Sequence, residues 1–202
     1  MAGIDPTAVP TAASASVPPA LVDTLTPEQR AEAIVTTEPG LDAIRRGDTF
    51  ALEALIAAAY IEAFHDWELW ADEQLKGIDD PLEDLVMPMR LFLRVKKTHP
   101  VYAAMSARNL ADIPKYFHGT EEGLVEHIGE LMKKKIIDIE SPAIRIRSLS
   151  ACILAGLADQ LLNPAAKDSD ADATVEVILS ILGISPAKAK KLAHGPMPDL
   201  SK

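Results

Sequence analysis

Between Ser141 and Asn163 the chain reads SPAIRIRSLSACILAGLADQLLN, and this stretch constrains the fold more than any other. Ser141 is placed to cap a helix, and Pro142 to fill its first position, where a missing N–H costs nothing. The first half is amphipathic, sorting Ile144 and Leu149 from the stems of Arg145 and Arg147. From Ala151 to Ala158 the side chains are apolar all the way round, so other helices or another chain must cover that half on every side. Ala151, Ala155, Gly156 and Ala158 would let a neighbouring backbone come close. A core helix and a subunit contact both satisfy this demand.

The remaining composition agrees with a helical protein. Apolar residues make up 48% of the 202 residues but aromatic ones only 4%, and an Ala- and Leu-dominated apolar set favours helix over sheet. No β-type alternation runs beyond four residues and no repeat period appears, so the expected class is all-α, with a core of useful size. The net charge of -10 argues against a general nucleic-acid or anionic-membrane surface. The single Cys152 permits no intrachain disulfide and reads as a small buried hydrophobe in a reducing compartment. Glu53 and Glu62 interrupt the longest apolar candidate for a membrane span. The N-terminus lacks a basic region followed by an apolar one. The expectation is a cytoplasmic chain with no membrane partner.

Local signals divide the chain. Residues 1–22, with Pro6, Pro10, Pro18 and Pro19, read as a disordered Ala/Pro/Ser-rich tail. Residues 23–47 read as a short helical segment: a helix from Thr26 to about Val35, then a turn from Leu41 to Arg46 that ends at Gly47. A long helix follows, from Asp48 or Thr49 to Leu75 with Gly77 as its stop. Its apolar stripe includes Leu52, Leu55, Ile56, Ala59, Tyr60, Phe64, Trp67 and Trp70. Asp80-Pro81-Leu82-Glu83 starts a helix to about Lys97, kinked at Pro88 between Met87 and Met89. After His99-Pro100 come two short pieces, Val101–Asn109 and Leu110–Tyr116. Thr120 is placed to cap a helix running from Glu121 and Glu122 to Lys133, Lys134 and Lys135, a charge order that complements the helix dipole. Beyond the central helix, a polar loop leads to a helix from Ala171 to Leu182 ended by Gly183. Ser185-Pro186 then opens a short basic helix, and residues 194–202 read as a flexible end.

Chemistry is sparse in this chain. The candidate metal or acid–base groups are Glu62, His65, Asp66 and Glu68 on the long helix, with His118, Glu122, Glu126 and His127 further on. A di-iron bundle needs a Glu-x-x-His step on two helices. Glu62 and His65 supply one such step, whereas Leu124 stands three residues before His127. No phosphate loop, nucleophile elbow or zinc spacing is present. The expectation is no enzyme, no metal and no cofactor. An aromatic stripe such as Phe64, Trp67 and Trp70 is either plain core or the wall of a cavity.

The order of the pieces says more. The runs GDTFALEALIAAAYIEAFHDW, GIDDPLEDLVMPMRLFLRVKKTHP and TEEGLVEHIGELMKKK, then paired helices ending LSILGISPAKAKKLA, resemble the C-terminal ligand-binding and dimerisation domain of TetR-family transcriptional regulators. The resemblance spans residues 48–193. It implies that the last two long helices form a dimerising pair across a two-fold axis, placing Leu149, Cys152, Gly156, Val175, Ile178 and Leu182 at the homodimer interface. It also implies a small apolar ligand near Tyr60, Phe64, Trp67, Met87, Leu91, Phe92, Met105 and Leu131, with ligand binding shifting the packing of the Pro88 helix. A heterodimer with a related regulator is a further partner in keeping with the resemblance.

The departure lies upstream. The helix-turn-helix of that family takes roughly 45 residues ahead of the first long helix, with a Gly-centred turn that is absent here. Between Met1 and Phe50 stand seven acids and only three arginines. Phosphate contacts supply most non-specific DNA affinity, so the degenerate head is expected to bind DNA poorly or not at all. A complete repressor with a compact helix-turn-helix stays open beside this reading, as does a helical metalloenzyme.

Overall fold

The computed structural model describes residues 41, 42, 45–108, 110 and 118–200. Eight helices lie wholly within them: α1 (Thr49–Leu75), α2 (Pro81–Phe92), α3 (Val95–Thr98), α4 (Pro100–Arg108), α5 (His118–Lys133), α6 (Pro142–Leu162), α7 (Asp168–Ile181) and α8 (Pro186–Ala193). No strand occurs among the described residues. The tail over residues 1–22, the helix expected from Thr26 and most of the piece expected over Leu110–Tyr116 fall outside them. The chain divides into two compact units, Met1–Ala59 and Tyr60–Lys202, so the boundary lies inside α1.

In the first unit Gly47 adopts a left-handed φ of 73° and ends the turn before α1. The Asp48 carboxylate then accepts from the Ala51 N–H at 3.2 Å, capping α1. Leu52 and Ile56 are exposed, whereas Ala51 in the first turn of α1 is buried.

In the second unit Tyr60, Trp67 and Ala71 of α1 are buried, and Gly77 at φ 88° terminates the helix. Asp80 caps α2 through Leu82 N–H (2.8 Å) and Glu83 N–H (3.2 Å). The helix expected to reach Lys97 stops at Phe92. Leu93 and Arg94 form a break, where the Arg94 N–H donates to the Leu91 carbonyl at 3.0 Å, and α3 follows. The cause is long-range: Arg94, 4% exposed, turns inward to Asp172 at 2.6 Å and also donates to the carbonyls of Arg90 and Asp168. A buried guanidinium needs such partners, and the backbone bends to deliver them.

α7 carries three carboxylates one turn apart, each with its own nearest basic side chain. Asp168 pairs with Lys97 at 2.6 Å, Asp172 with Arg94 at 2.6 Å, and Glu176 with His194 at 2.5 Å. This helix starts at Asp168, three residues before the expected Ala171, because the Asp170 carboxylate reaches back to the Lys167 N–H at 2.8 Å. Thr120 likewise lies inside α5, whose first turn opens at His118. The segment after α8 is tied down: Arg90 donates to the carbonyls of Gly195 (2.7 Å) and Pro196 (3.1 Å), and Met197 and Leu200 pack against the core. The flexible end expected over residues 194–202 is thus docked through residue 200.

α6 begins and ends where expected, but Ser141 does not cap it with its side chain. Its backbone is left-handed (φ 53°), and its carbonyl accepts from the Ile144 and Arg145 N–H groups instead. Around the expected apolar half, Gly156 and Leu157 are buried, Cys152, Ile153, Leu154 and Ala158 half-buried, and Ala151 and Ala155 exposed. Gly156 faces α7, where an added Cβ would lie 2.5 Å from Thr174 Cγ2 and 3.2 Å from Leu93 Cδ2. Leu149, Val175, Ile178 and Leu182 are fully covered within one chain. The contacts of these four and of Gly156 are therefore internal. Cys152, half-buried and free, is the one residue of the expected interface set with exposed surface.

Candidate ligand site

Aromatic residues are few, yet the six whose side chains are described lie close together in the fold. On α1, Tyr60, Phe64 and Trp67 share a face because they are four and then three residues apart. Phe92 comes from the last turn of α2 and Tyr102 from α4. The ring centroids of Phe64 lie 5.6 Å from Trp67, 5.9 Å from Tyr102 and 6.4 Å from Phe92. Trp67 meets Phe92 edge-on at 5.1 Å, and Tyr60 lies 5.1 Å from Tyr102. These are contact distances for aromatic pairs, so no further ring fits between them. One turn beyond Trp67, Trp70 meets the His99 ring edge-on at 5.3 Å.

A polar group sits at one side of the cluster. The hydroxyls of Tyr60 and Tyr102 are 2.8 Å apart, and Ser106 Oγ donates to Tyr60 Oη at 3.3 Å. Burial, and then the neighbouring Tyr60, push the Tyr102 hydroxyl far above the ordinary phenol range, so it stays neutral. Two buried ring nitrogens, Trp67 Nε1 and His99 Nδ1, have no hydrogen-bond partner among the described residues. Burial also lowers the His99 pKa below the ordinary 6.5, against a weaker opposing pull from Asp66, and keeps its ring neutral at pH 7. Glu68 is shifted upward, chiefly by burial, with the nearby His65 opposing.

Of the eight residues expected near a ligand, the structure joins Tyr60, Phe64, Trp67 and Phe92 in one cluster. Leu91 and Leu131 are fully buried core residues, while Met87 and Met105 pack half-buried against the same core. Sequence reasoning missed Tyr102, Ser106 and His99. Tyr102 and Ser106 stand four residues apart on α4, a spacing that could have flagged a shared face, but the surrounding pattern carries little apolar periodicity.

Two surface cavities lie away from the aromatic cluster. A groove of about 470 Å³ beside the start of α2 is lined by Asp84, Glu126, His127, Glu130, Leu131 and Lys134. A smaller one of about 280 Å³ lies by Arg94, Lys96, Lys97, Gln160 and Asn163. Among the candidate metal groups, Glu62, His65 and Asp66 are exposed on the outer side of α1, and His127 stands 3.8 Å from Asp84. No three potential ligands converge on a metal position among the described residues.

No protein-family model matches the sequence, and no curated protein matches it. Two crystal structures of RolR do share its fold. RolR without ligand is 18% identical, covering 89% of this chain and 91% of that one with a TM-score of 0.63. RolR in complex with its ligand resorcinol is also 18% identical, covering 89% of this chain and 88% of that one with a TM-score of 0.65. At that identity the likeness shows the fold, an all-α, TetR-like helical architecture. Among the described residues no helix is long and apolar enough to cross a membrane.

Proposed function

We propose that this chain is a TetR-like regulatory protein that dimerises, binds a small, largely apolar aromatic molecule and acts in transcriptional regulation, with little or no DNA binding of its own. The observation that carries the reading is the aromatic cluster of α1, α2 and α4, in a fold shared with a protein crystallised with a single-ring aromatic ligand. Stacked and edge-on rings suit a planar guest, and the surrounding core excludes water from it. No catalytic role is assigned to the site, and the protein is placed in the cytoplasm.

Dimerisation is supported by the outward side of the α6–α7 pair. Ile144, Ala151, Ala155 and Leu162 of α6 and Ala173 and Val177 of α7 are exposed and follow one another at helical spacing. A second copy related by a two-fold axis would cover that stripe, and a heterodimer with a related regulator would use the same side. The ligand reading is tested by thermal-shift and calorimetric titration with single-ring aromatics, resorcinol among them. Absence of saturable binding across the panel would remove it.

A second reading, a complete DNA-binding regulator, is favoured by one observation. The likeness to RolR covers 89% of this chain and 91% of that one. Fluorescence anisotropy with random duplex at low salt separates the two readings. Salt-sensitive binding would establish the second, because phosphate contacts release counterions.

A further inference from the structure

We infer that α6 is self-complementary: its partner is a second copy of this chain, seated antiparallel about the level of Ile153, with Arg147 of each copy paired to Asp159 of the partner subunit. This rests on the dimer reading proposed above and names its partner and its register.

Three observations carry the inference. The outward stripe of α6 reads alike in both directions. Ile144 and Leu162 lie nine residues either side of Ile153, Arg147 and Asp159 six, and Ala151 and Ala155 two. All six are exposed, whereas Ile153 is half-buried and packs against the core. An antiparallel two-fold sets each residue against the one equally far beyond the centre, so Ile144 meets Leu162 and Ala151 meets Ala155. The central alanines let the two helix axes approach to about 8 Å, the close end of ordinary helix packing. Charge then decides the direction. Arg147 has no acidic partner among the described residues, and the Asp159 carboxylate accepts from the neutral side-chain amide of Asn163 at 2.9 Å, so both charges stay uncompensated within the chain. Each stands about 9 Å along the axis from Ile153, and they flank the stripe about 120° apart around the helix. A parallel two-fold would put Arg147 beside Arg147 and Asp159 beside Asp159, whereas the antiparallel one puts opposite charges at the same level on both sides. Finally, Gly156 lies against Thr174, so the exposed Ala173 and Val177 of α7 extend the apolar cover beside the middle of α6, where the two-fold would pass. A related regulator could cover the apolar stripe, but a second copy supplies both charges at the matching levels.

The test uses the full chain and reads the dimer Kd by sedimentation at low and at moderate salt. Arg147→Asp and Asp159→Arg each turn two attractive pairs into two repulsive ones. Either should raise the dimer Kd about ten- to hundredfold at low salt, and less at moderate salt. The double variant exchanges the charges and should return to within about threefold of the wild type. So should an equimolar mixture of the two single variants, in which opposite charges meet only between unlike chains. Circular dichroism reports on the fold of each variant; both sites are exposed, and Asp159→Arg puts a cation in the last turn of α6, where the helix dipole favours it. Should a reversal fail to fold, the neutral Arg147→Gln or Asp159→Asn takes its place, with an expected rise of about two- to fivefold. A dimer whose Kd ignores the reversals, or one that neither the double variant nor the mixture restores, overturns the register and leaves the two-fold reading standing. A wild type that stays monomeric at every concentration overturns both.

Discussion

Gly156 decides how closely α6 can approach α7, and Gly156→Ala measures that approach. In a helix interior the change from glycine to alanine normally stabilises by about 1 kcal/mol through backbone entropy. Here the added methyl would stand 2.5 Å from Thr174 Cγ2, 3.0 Å from its Oγ1 and 3.2 Å from Leu93 Cδ2. Thr174 cannot easily rotate away: it is β-branched, and its Oγ1 donates to the Asp170 carbonyl at 2.9 Å. Overpacking of this kind costs about 1–3 kcal/mol, so the net effect is a destabilisation of about 0–2 kcal/mol. For a chain of this size each kcal/mol lowers Tm by about 2–4 °C. Urea denaturation of the wild type, Gly156→Ala, Thr174→Ser and the double variant closes the cycle. Thr174→Ser removes the offending methyl and keeps the hydroxyl, so the alanine should be better tolerated on that background by about 1 kcal/mol. A Gly156→Ala protein more stable than the wild type, or an additive cycle, would refute the close approach. The subunit itself is expected to weaken, since the glycine meets its own chain.

Asp172→Asn leaves Arg94 and Arg90 buried without their carboxylate and should cost about 3 kcal/mol by calorimetric unfolding, whereas a loss below about 1 kcal/mol would mean that the carbonyl acceptors suffice. His99 has a folded pKa lowered by burial, so below the ordinary 6.5 the unfolded chain binds more protons than the folded one. Stability therefore rises with pH through that window and is lost on acidification. Urea midpoints from about pH 5.5 to about pH 7.5 should rise in the wild type and flatten in His99→Gln, and parallel profiles would dismiss the role of this ring. Val177→Glu places a charge on the outward side of α7, where Val177 is 54% exposed. Light scattering should find the wild type dimeric and the variant monomeric with its fold intact, and a dimeric variant would move the interface elsewhere.

Where structure follows from neighbours in the chain, the sequence was legible. Gly47 and Gly77 around α1, Asp80-Pro81 ahead of α2, and Gly183 after α7 are local stereochemical signals, and each stands where its residue type demanded. The face shared by Tyr60, Phe64 and Trp67 followed from helical spacing alone. What could not be read depends on partners far along the chain. The break at Leu93–Arg94 is set by Asp172, 78 residues away, and the docking of residues 195–196 by Arg90, more than 100 residues back. Gly156 illustrates the same limit. Its small size announces a close neighbour, but nothing in its surroundings says whether that neighbour is Thr174 or a second copy.

α7 presents three different sides, and their arrangement supplies a physical route from the aromatic cluster to the outside. Ala171, Val175, Ile178 and Leu179 face the core, Asp168, Asp172 and Glu176 face basic side chains, and Ala173 and Val177 face outward. Phe92 belongs to the aromatic cluster and lies two residues before Arg94, the residue that grips Asp172. A guest that entered the aromatic cluster and shifted Phe92 would therefore bear on the Arg94–Asp172 pair, together with the Arg90–Asp172 contact made by α2 itself. Buried charge pairs tolerate little separation, so α7 would have to follow Arg94 or lose the pair at a cost of several kcal/mol. Movement of the outward side then depends on the guest binding one placement of Phe92 more tightly than the other, because equal affinity for both shifts nothing. Arg94→Lys separates these steps. Lysine keeps the charge but loses the forked contacts to the Arg90 and Asp168 carbonyls, so guest affinity should be retained while its effect on dimer stability is reduced. If coupling is undiminished in Arg94→Lys, another contact of α7 carries it.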